Sequence, residues 1–552
     1  MNGLVPRTRW RCVIWVGLLF LAYSFWTAAI PGSNESHYLC KAKFWWQPDW
    51  CSRDLFLESS NPHLVFYIAF GWMAKWLSLE AVTVISRVLG YFALAAGWEW
   101  LCRGLRLSPR ATVLAACWLM LCAATVTLSG EWLLGGIESK VFAYAGVFAA
   151  LGATCQRRFI AAGGMLGVAI AFHPLVGVWS AIALAFAALA TVATQPSLLS
   201  SRHSSPLAPL GRGAGGEGQQ QSGISPTHRS TKHLLVEVTV AINVMLLVAS
   251  AGLIPALGSI SSTDPQAATN ATFIQVFYRL RHHLHPAAFP VGNYVAYEVL
   301  LLLTVWLARK LVSTSALKLV KLFVLGAVLI AACGWVVGIS LTPEQFGRPL
   351  FGLRMTALKF YPFRLVDAVV PVLFSIVLAQ WLDELAEFQP RAWWVRRSQL
   401  LASLLVLCSL EYGRGAGAAR YLPDERERDW LAVCRWVRSH TPETALFVTP
   451  NESWAFKWFA ERAEYVAFKD CPQDATSLNE WNDRLRWLAT WAERGFLDTT
   501  YSRDEIAALV RKTQATHFIT RRPAVLEARE IFANDSYVVY DLAEPPQPIA
   551  NK

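Results

Sequence analysis

A long group of ionisable and aromatic side chains lies near the N-terminus, between Pro31 and Leu79. Its acidic residues and histidines are Glu35, His37, Asp49, Asp54, Glu58 and His63. A carboxylate can take a proton from a reacting hydroxyl group. A short turn between two helices would need neither this length nor the Trp and Phe residues interleaved here. We therefore interpret the stretch as a folded loop that carries an active site.

The composition is that of a membrane protein. Of the 552 residues, 54% are hydrophobic and 16% are charged, whereas a soluble domain has about 25% charged residues. Several apolar runs reach ~20 residues, enough for a helix to cross a hydrocarbon core of ~30 Å. The net charge of +11 fits basic residues in cytoplasmic loops. We predict an all-α polytopic membrane protein that binds membrane lipid and no nucleic acid.

Basic residues set the predicted orientation, because they concentrate in cytoplasmic loops. Arginines precede the first apolar run and follow the second, which predicts a cytoplasmic N-terminus in the cell (inner) membrane and about 11 crossings. The stretch Pro31–Leu79 then lies outside, and its second half, Leu64–Leu79, lies along the membrane surface. The predicted spans are about Cys12–Ile30, Ala81–Leu101, Ala111–Ser129, Val141–Ala153, two halves of Phe159–Ala193 divided at Phe172-His173-Pro174, Leu234–Ile254, Tyr294–Ala308, Leu322–Ile339, Leu365–Leu382 and Leu400–Leu410.

Two segments differ in composition from the spans. Residues 194–233 are rich in Ser, Gly and Pro and are predicted to form a disordered cytoplasmic insert. From residue 411 the composition is that of a soluble protein, and helical patterns alternate with strand patterns. This alternation predicts a small α/β domain. We therefore divide the chain into a transmembrane domain, residues 1–410, and an extracytoplasmic domain, residues 411–552.

The predicted outer loops carry carboxylates early in the chain and cations late. Glu138 and Lys140 lie in the second outer loop, and His173 lies at the third turn. The cations and histidine predicted in later loops to contact substrate are Arg281, His282, Arg354, Lys359 and Arg364. These loops are predicted to lie on one face of the membrane, where they bring carboxylates and cations together. This combination suits a reaction with an anionic leaving group, because a carboxylate can deprotonate an acceptor hydroxyl and cations can stabilise a departing phosphate.

Four segments resemble the GT-C glycosyltransferases of the aminoarabinose transferase and protein O-mannosyltransferase type. Asn34–Leu39 is similar to the acidic pair and aromatic helix that open their first outer loop. Asn61–Tyr67 is similar to their Pro-led interfacial helix, and Gly136–Lys140 stands at their second acidic position. Phe172–Pro174 stands where they have a Lys-Gly-Pro-like turn. The resemblance covers residues 10–195, and it departs from the family at the pair, where this chain has Asn34-Glu35, and at the turn, where it has His173.

The resemblance implies a GT-C-like fold and the transfer of a sugar from a polyprenyl-phosphate donor to an acceptor on the outer face. It implies Glu35 as the leading catalytic base and Glu138 as the second. Asp54 is a reserve candidate on chemical grounds alone. The predicted substrate-binding residues are His37, Lys140, His173, Arg281, His282, Arg354, Lys359 and Arg364.

Several of these residues also have a structural interpretation. Glu35 can interact with the dipole at a helix N-terminus, and Arg364 can pair with Asp367 three positions later. The histidines within 281–285 have no carboxylate at helical spacing, so the sequence does not support a divalent metal and we predict no cofactor.

Two other classes of protein remain open, a transporter or lipid flippase and a non-catalytic scaffold with an outer binding domain. Transporters often contain inverted repeats and charges at mid-membrane, and the sequence shows no internal repeat. Two cysteine pairs on the predicted outer side, Cys40 with Cys51 and Cys434 with Cys471, would face an oxidising compartment where disulfides can form.

Overall fold

The structure is a computed structural model that describes residues 5–32, 34–194, 231–260, 264–386, 391–418, 424–450, 455–496 and 499–543. Most of the predicted disordered insert, residues 195–230, lies outside the described residues. Its two ends belong to helices, because one helix ends at Thr194 and the next begins at Thr231.

The described residues up to Ala418 form helices joined by loops. They are α1 Val5–Thr27, α2 Glu35–Trp46, α3 Leu55–Glu58, α4 Leu64–Gly71, α5 Leu79–Gly104, α6 Pro109–Thr125, α7 Ser139–Cys155, α8 Phe159–Phe172, α9 Pro174–Thr194, α10 Thr231–Ile260, α11 Pro265–Ile274, α12 Arg281–Leu284, α13 Val291–Lys310, α14 Ser315–Gly338, α15 Phe351–Lys359, α16 Arg364–Ala386 and α17 Arg391–Ala418. Every predicted span overlaps one of these helices, although the predicted spans Cys12–Ile30 and Ala111–Ser129 extend past the ends of α1 and α6. In the part of the chain described, seven helices (α1, α5, α9, α10, α13, α14 and α16) are long and apolar enough to cross a membrane, and α6, α7 and α8 are shorter apolar helices.

The predicted break between α8 and α9 is present. Helix α8 ends at Phe172 and α9 begins at Pro174. Proline has no backbone N–H and restricts the residue before it, so it starts a helix well and continues one badly. His173 therefore lies in the turn between the two helices.

The loop Pro31–Leu79 is folded, as predicted. It contains α2, α3 and α4, and a 3₁₀ turn at Trp72–Lys75 follows α4. The predicted interfacial helix Leu64–Leu79 is thus one short helix plus a turn. Helix α4 packs so closely on α2 that a Cβ atom on Gly71 would lie 2.0 Å from the carbonyl oxygen of Ala42.

The C-terminal part forms the predicted α/β domain. Its elements are α18 Asp424–His440, β1 Leu446–Val448, α19 Phe456–Ala460, β2 Ala463–Glu464, α20 Ala475–Phe496, β3 Thr500–Tyr501, α21 Arg503–Thr513, β4 His517–Arg521, β5 Val525–Leu526, β6 Arg529–Ala533 and β7 Tyr537–Asp541. Five strands form a mixed sheet in the order β2-β1-β4-β7-β6. Strands β2, β1 and β4 are parallel, and β7 is antiparallel to both β4 and β6. Trp430 and Val433 of α18 pack on this sheet in a buried apolar cluster.

Small residues allow helices α5 and α7 to approach closely. A Cβ atom on Gly97 would lie 2.3 Å from the carbonyl oxygen of Ala145, and one on Gly152 would lie 2.5 Å from the backbone of Trp100. Small residues at such contacts let helix backbones pack tightly in a membrane, where burial of apolar surface gives little driving force. The α5–α7 contact therefore fixes the position of α7 relative to α5.

We predict that Gly97→Ala destabilises the protein by about 1–3 kcal/mol, because the added methyl group overpacks the α5–α7 contact. Gly292→Ala in α13 is the matched control, since nothing lies within 4 Å of its Cβ position. Unfolding of both variants in detergent measures the difference. Equal stability of the two variants would contradict the close packing.

Candidate active site

A cavity of about 260 Å³ lies where the loops of the helical part meet the C-terminal domain. Its walls come from the first loop, the segment 130–140, the α8–α9 turn, the segments 275–283 and 359–364, and residues 469–473. Among the described residues that line it, the cations are Lys140, Arg279, Lys359, Arg364 and Lys469, and the carboxylates are Glu131 and Glu138. The excess of positive charge makes the cavity a site for an anion.

Glu131 is the most tightly held group in the cavity. Arg364 donates to its Oε1 from Nε at 2.8 Å and from Nη2 at 2.6 Å, and Lys140 Nζ lies 3.0 Å from its Oε2. Burial alone would raise the pKa of Glu131, but Arg364 and Lys140 outweigh burial and hold this pKa well below its usual range. Glu131 is therefore ionised and serves to orient the two cations.

Asp367 fixes the backbone next to Glu131, because its carboxylate accepts hydrogen bonds from one turn of the chain. The donors are Leu128 N at 2.6 Å, Ser129 Oγ at 2.8 Å, Ser129 N at 2.9 Å, Thr127 Oγ1 at 3.2 Å and Glu131 N at 3.2 Å. The predicted pairing of Arg364 with Asp367 is therefore wrong. Both side chains bond to the loop that precedes α7 instead of to each other. Backbone amides of this loop donate to Asp367, and its Glu131 accepts from Arg364.

Glu138 is held less tightly than Glu131. It shares Lys140, whose Nζ lies 2.9 Å from its Oε1. The amide nitrogen of Asn34 lies 3.4 Å from the same oxygen, and Lys469 Nζ donates to the amide oxygen of Asn34 at 2.8 Å. Glu138 immediately precedes α7, and its side chain does not cap that helix. An anion that attracted Lys140 away would leave Glu138 able to accept a proton.

Histidines in the cavity wall are neutral at pH 7. Burial and the neighbouring Arg364 hold the pKa of His173 well below its usual range, and Arg364 Nη1 lies 2.9 Å from its Nε2. Burial lowers the pKa of His63 to about 3 and that of His283 to about 4. His283 Nδ1 lies close to the carbonyl oxygen of Ser129, and it donates to that oxygen as a neutral ring. The positive charge of the cavity therefore comes from its lysines and arginines.

Glu35, the leading candidate for the base, lies outside the cavity. Its side chain is fully buried and accepts from Arg87 Nε at 2.7 Å and from Arg87 Nη2 at 2.8 Å. It also accepts from the backbone N–H groups of Gly32 at 2.6 Å and Ile137 at 2.7 Å. The remaining donors of Arg87 reach the carbonyl oxygens of Ala28 and Ala29 at 2.8 and 2.7 Å. These contacts make Glu35 a structural residue, and Asn34 is the member of the pair that lines the cavity.

Asp54, the reserve candidate for the base, also makes structural contacts. It caps α3 by accepting from Phe56 N and Leu57 N at 3.1 Å. It lies 3.1 Å from Lys457 Nζ in the C-terminal domain and accepts from Glu464 N at 3.1 Å. Asp54 thus joins the first loop to the C-terminal domain.

Of the predicted substrate-binding residues, the cavity wall includes His37, Lys140, His173, His282, Lys359 and Arg364. Arg281 is exposed and lies outside the described wall. Arg354 also lies outside it, and it joins α15 to the end of α14 through Val337 O and Ser340 Oγ, both at 2.9 Å.

Sequence reasoning missed Glu131, Arg279 and Lys469 as site residues. The sequence could have indicated Glu131 as a site residue, because it lies in the same predicted outer loop as Glu138. Arg279 lies two positions before Arg281, which the sequence predicts to contact substrate. Lys469 had no signal, since it reaches Asn34 only through the docking of a domain more than 400 residues away in sequence.

The cysteines do not form the considered disulfides. All eleven are free, and they include Cys40, Cys51, Cys434 and Cys471. Cys434 lies in the core of the C-terminal domain, whereas Cys471 lines the cavity. In the described part of the chain no group of three or more His, Cys, Asp or Glu side chains is arranged to hold a metal ion.

The arrangement of helices and loops is also found in a solved structure. The chain is similar to the crystal structure of ArnT from Cupriavidus metallidurans bound to undecaprenyl phosphate, with a TM-score of 0.51 and 12% identity over 97% of this chain and 98% of that one. The chain has the ArnT fold. The predicted GT-C-like fold is therefore confirmed, and the chain is a multi-pass membrane protein.

Two sequence comparisons add to this. Residues 428–488 match a domain of unknown function, DUF6798. A comparison with curated proteins gives no match. The DUF6798 segment contains Lys457, Glu464 and Lys469, so it spans both the junction with the first loop and one wall of the cavity.

We predict that Arg87→Met destabilises the protein by about 3–5 kcal/mol, because it leaves the carboxylate of Glu35 buried without its cation. The double variant Glu35→Gln/Arg87→Met removes both charges and recovers part of that loss. Chemical unfolding in detergent measures both. A double variant as unstable as Arg87→Met would contradict the structural role of the pair.

A second buried charge cluster joins the two parts of the chain and is sensitive to pH. Lys457 Nζ lies 2.6 Å from Asp470, 3.1 Å from Asp54 and 3.2 Å from Glu464. Three carboxylates share one ammonium group. Burial raises the pKa of Glu464 to about 7, and Lys457 and the hydrogen bond from Thr449 offset this only in part. Glu464 is therefore the carboxyl group of the cluster that takes up a proton near neutral pH.

We predict that the carboxyl group of Glu464 makes the fold more stable at pH 6 than at pH 8 by roughly 1 kcal/mol relative to a variant that lacks this group. A carboxyl group with a higher pKa in the folded chain stabilises the fold fully below its unfolded pKa, and this contribution is lost as pH rises through the folded pKa. Glu464→Gln should therefore differ by that amount from the unchanged protein in its change of stability between the two pH values, whereas the exposed Glu530→Gln should behave like the unchanged protein. Unfolding at both pH values tests this, and an unchanged pH dependence in Glu464→Gln would refute it.

Proposed function

We propose that the chain is an integral membrane glycosyltransferase that transfers a sugar from a polyprenyl-phosphate donor to an acceptor hydroxyl on the outer face of the cell (inner) membrane. The observation that carries this proposal is the cavity in which five cations surround two carboxylates. The ArnT fold supports it, because ArnT was crystallised with undecaprenyl phosphate.

Glu138 is the proposed base, in place of Glu35. It lines the cavity and shares its cation with Glu131, which itself has two cationic partners. The incoming phosphate attracts Lys140, which frees Glu138 to accept the proton of the acceptor hydroxyl. The acceptor oxygen then attacks C1 of the sugar with inversion, and the bond from C1 to the phosphate oxygen breaks.

The cations stabilise the leaving lipid phosphate, which gains negative charge as that bond breaks. Arg364 is fixed in position by Glu131, and Lys359 lines the same cavity. A cation whose position is already fixed needs no reorganisation during the reaction, which makes its effect on the transition state larger. His173 contributes by accepting a hydrogen bond from Arg364 and so restricting the orientation of the guanidinium group.

The predicted orientation places the N-terminus in the cytoplasm and the cavity and the C-terminal domain outside. No cofactor takes part in this mechanism. A transporter would be expected to carry ionisable groups at mid-membrane, whereas the cations and carboxylates of the cavity lie in loops and at helix ends.

We predict that Glu138→Gln lowers the rate of sugar transfer about 100-fold or more, because general-base catalysis contributes at least that factor. The polyprenyl-phosphate affinity should be kept, since the glutamine side chain would fill the same space as that of Glu138. Glycan and lipid profiles of the host, together with transfer assays on purified protein, provide the measurement.

Glu344→Gln is the matched control, because Glu344 is an exposed carboxylate in the loop between α14 and α15. It should transfer sugar at the rate of the unchanged protein. If Glu138→Gln left both the host profiles and the purified activity unchanged, Glu138 would not be the base. Failure of the unchanged protein to bind polyprenyl phosphate would refute the transferase proposal itself.

A further inference from the structure

One wall of the cavity comes from the C-terminal domain. It consists of Lys469, Cys471, Pro472 and Gln473, all within the segment that matches DUF6798. We propose that Lys469 binds the phosphate group of the lipid-linked donor, so that the C-terminal domain completes the donor site. This inference rests on the function proposed above and adds a substrate contact to it.

The backbone of this wall is fixed by both parts of the chain. Arg279 Nη2 donates to the carbonyl oxygen of Lys469 at 3.0 Å. The next residue, Asp470, lies 2.6 Å from Lys457 Nζ and 3.1 Å from His37 Nδ1. Burial would raise the pKa of Asp470, but Lys457 and His37 together hold it below its usual range, so the carboxylate stays charged. Lys469 is therefore presented from a preorganised segment, which lowers the entropy cost of binding.

The Lys469 ammonium group points to the proposed reaction centre. It donates to Asn34 Oδ1 at 2.8 Å, and Asn34 Nδ2 lies 3.4 Å from Glu138. An ammonium group has three protons, so Lys469 can bind a phosphate oxygen while it keeps its bond to Asn34. Lys469 and Lys140 are thus connected through Asn34 and Glu138, and both line the cavity in which the phosphate is proposed to bind.

Asn34 connects Lys469 to Glu138. Asn34 is the cavity-facing member of the pair Asn34-Glu35, and its amide oxygen accepts from a lysine while its amide nitrogen faces a carboxylate. An amide can serve both neighbours at once because it carries a donor and an acceptor. Asn34 thus links the C-terminal cation to the proposed base, and the first loop and the C-terminal domain must dock for this link to exist.

The test measures binding of a short-chain polyprenyl phosphate to purified full-length protein in detergent. We expect Lys469→Gln to weaken binding about tenfold, since one charge-assisted hydrogen bond is lost. The corresponding polyprenyl alcohol, which lacks the phosphate, should bind the variant and the unchanged protein equally. Inorganic phosphate should also bind Lys469→Gln more weakly, which would assign the contact to the phosphate and not to the lipid tail.

Two further variants make the result specific. Lys469→Arg keeps the charge and should bind nearly as well as the unchanged protein. Lys512→Gln removes an exposed lysine of α21 in the same domain and should have no effect. Thermal unfolding of each variant shows whether it is folded. If Lys469→Gln is misfolded, Lys469→Met replaces it as the variant without the charge and is compared with Lys469→Arg.

The outcomes separate this inference from the proposed function. Tight binding by the unchanged protein, weakened by Lys140→Gln but not by Lys469→Gln, would overturn the role of Lys469 and leave the transferase proposal standing. No binding of polyprenyl phosphate by the unchanged protein would overturn both. Equal weakening for the phosphate and the alcohol would mean that Lys469 supports the fold and does not bind phosphate.

Discussion

The buried ion pair between Glu35 and Arg87 is the interaction on which the site depends. It joins the end of α1, the start of α2, the middle of α5 and the segment before α7. Both side chains are fully buried, and each donor or acceptor finds a partner. Losing one partner would leave an uncompensated charge in the interior. The pair therefore fixes the relative positions of four elements, two of which, α2 and α7, begin at the cavity.

This constraint decides which residues face the cavity. With Glu35 directed to Arg87, its neighbour Asn34 faces the cavity and bonds to Lys469. The segment before α7 is held by Glu35 at one end and by Asp367 at the other, and between them it presents Glu131 and Glu138. The two cavity carboxylates are thus positioned by two buried carboxylates that lie outside the cavity wall.

The C-terminal domain is a structural part of the same site. Asp54 of the first loop and Lys457 of the C-terminal domain form the centre of a buried charge cluster between them. Buried charges stabilise a complex only when each is paired, so such a cluster favours one docking geometry over others. That geometry brings residues 469–473 into the cavity wall. The match to DUF6798 covers the cluster residues of this domain together with the wall.

The sequence by itself determined the helical spans, the break before Pro174, the folded first loop and the C-terminal α/β domain, because these follow from local apolar periodicity and from proline. It also identified Lys140 and Arg364 as substrate-binding candidates, because both lie in loops that the distribution of basic residues places on the same side of the membrane. Only the tertiary structure assigned the carboxylates. Whether an acid such as Glu35 is a base or half of an ion pair depends on Arg87, which is 52 residues away. Contacts of that range, and the still longer one from Lys469 to Asn34, are set by how helices and domains pack, and no local pattern in the sequence records them.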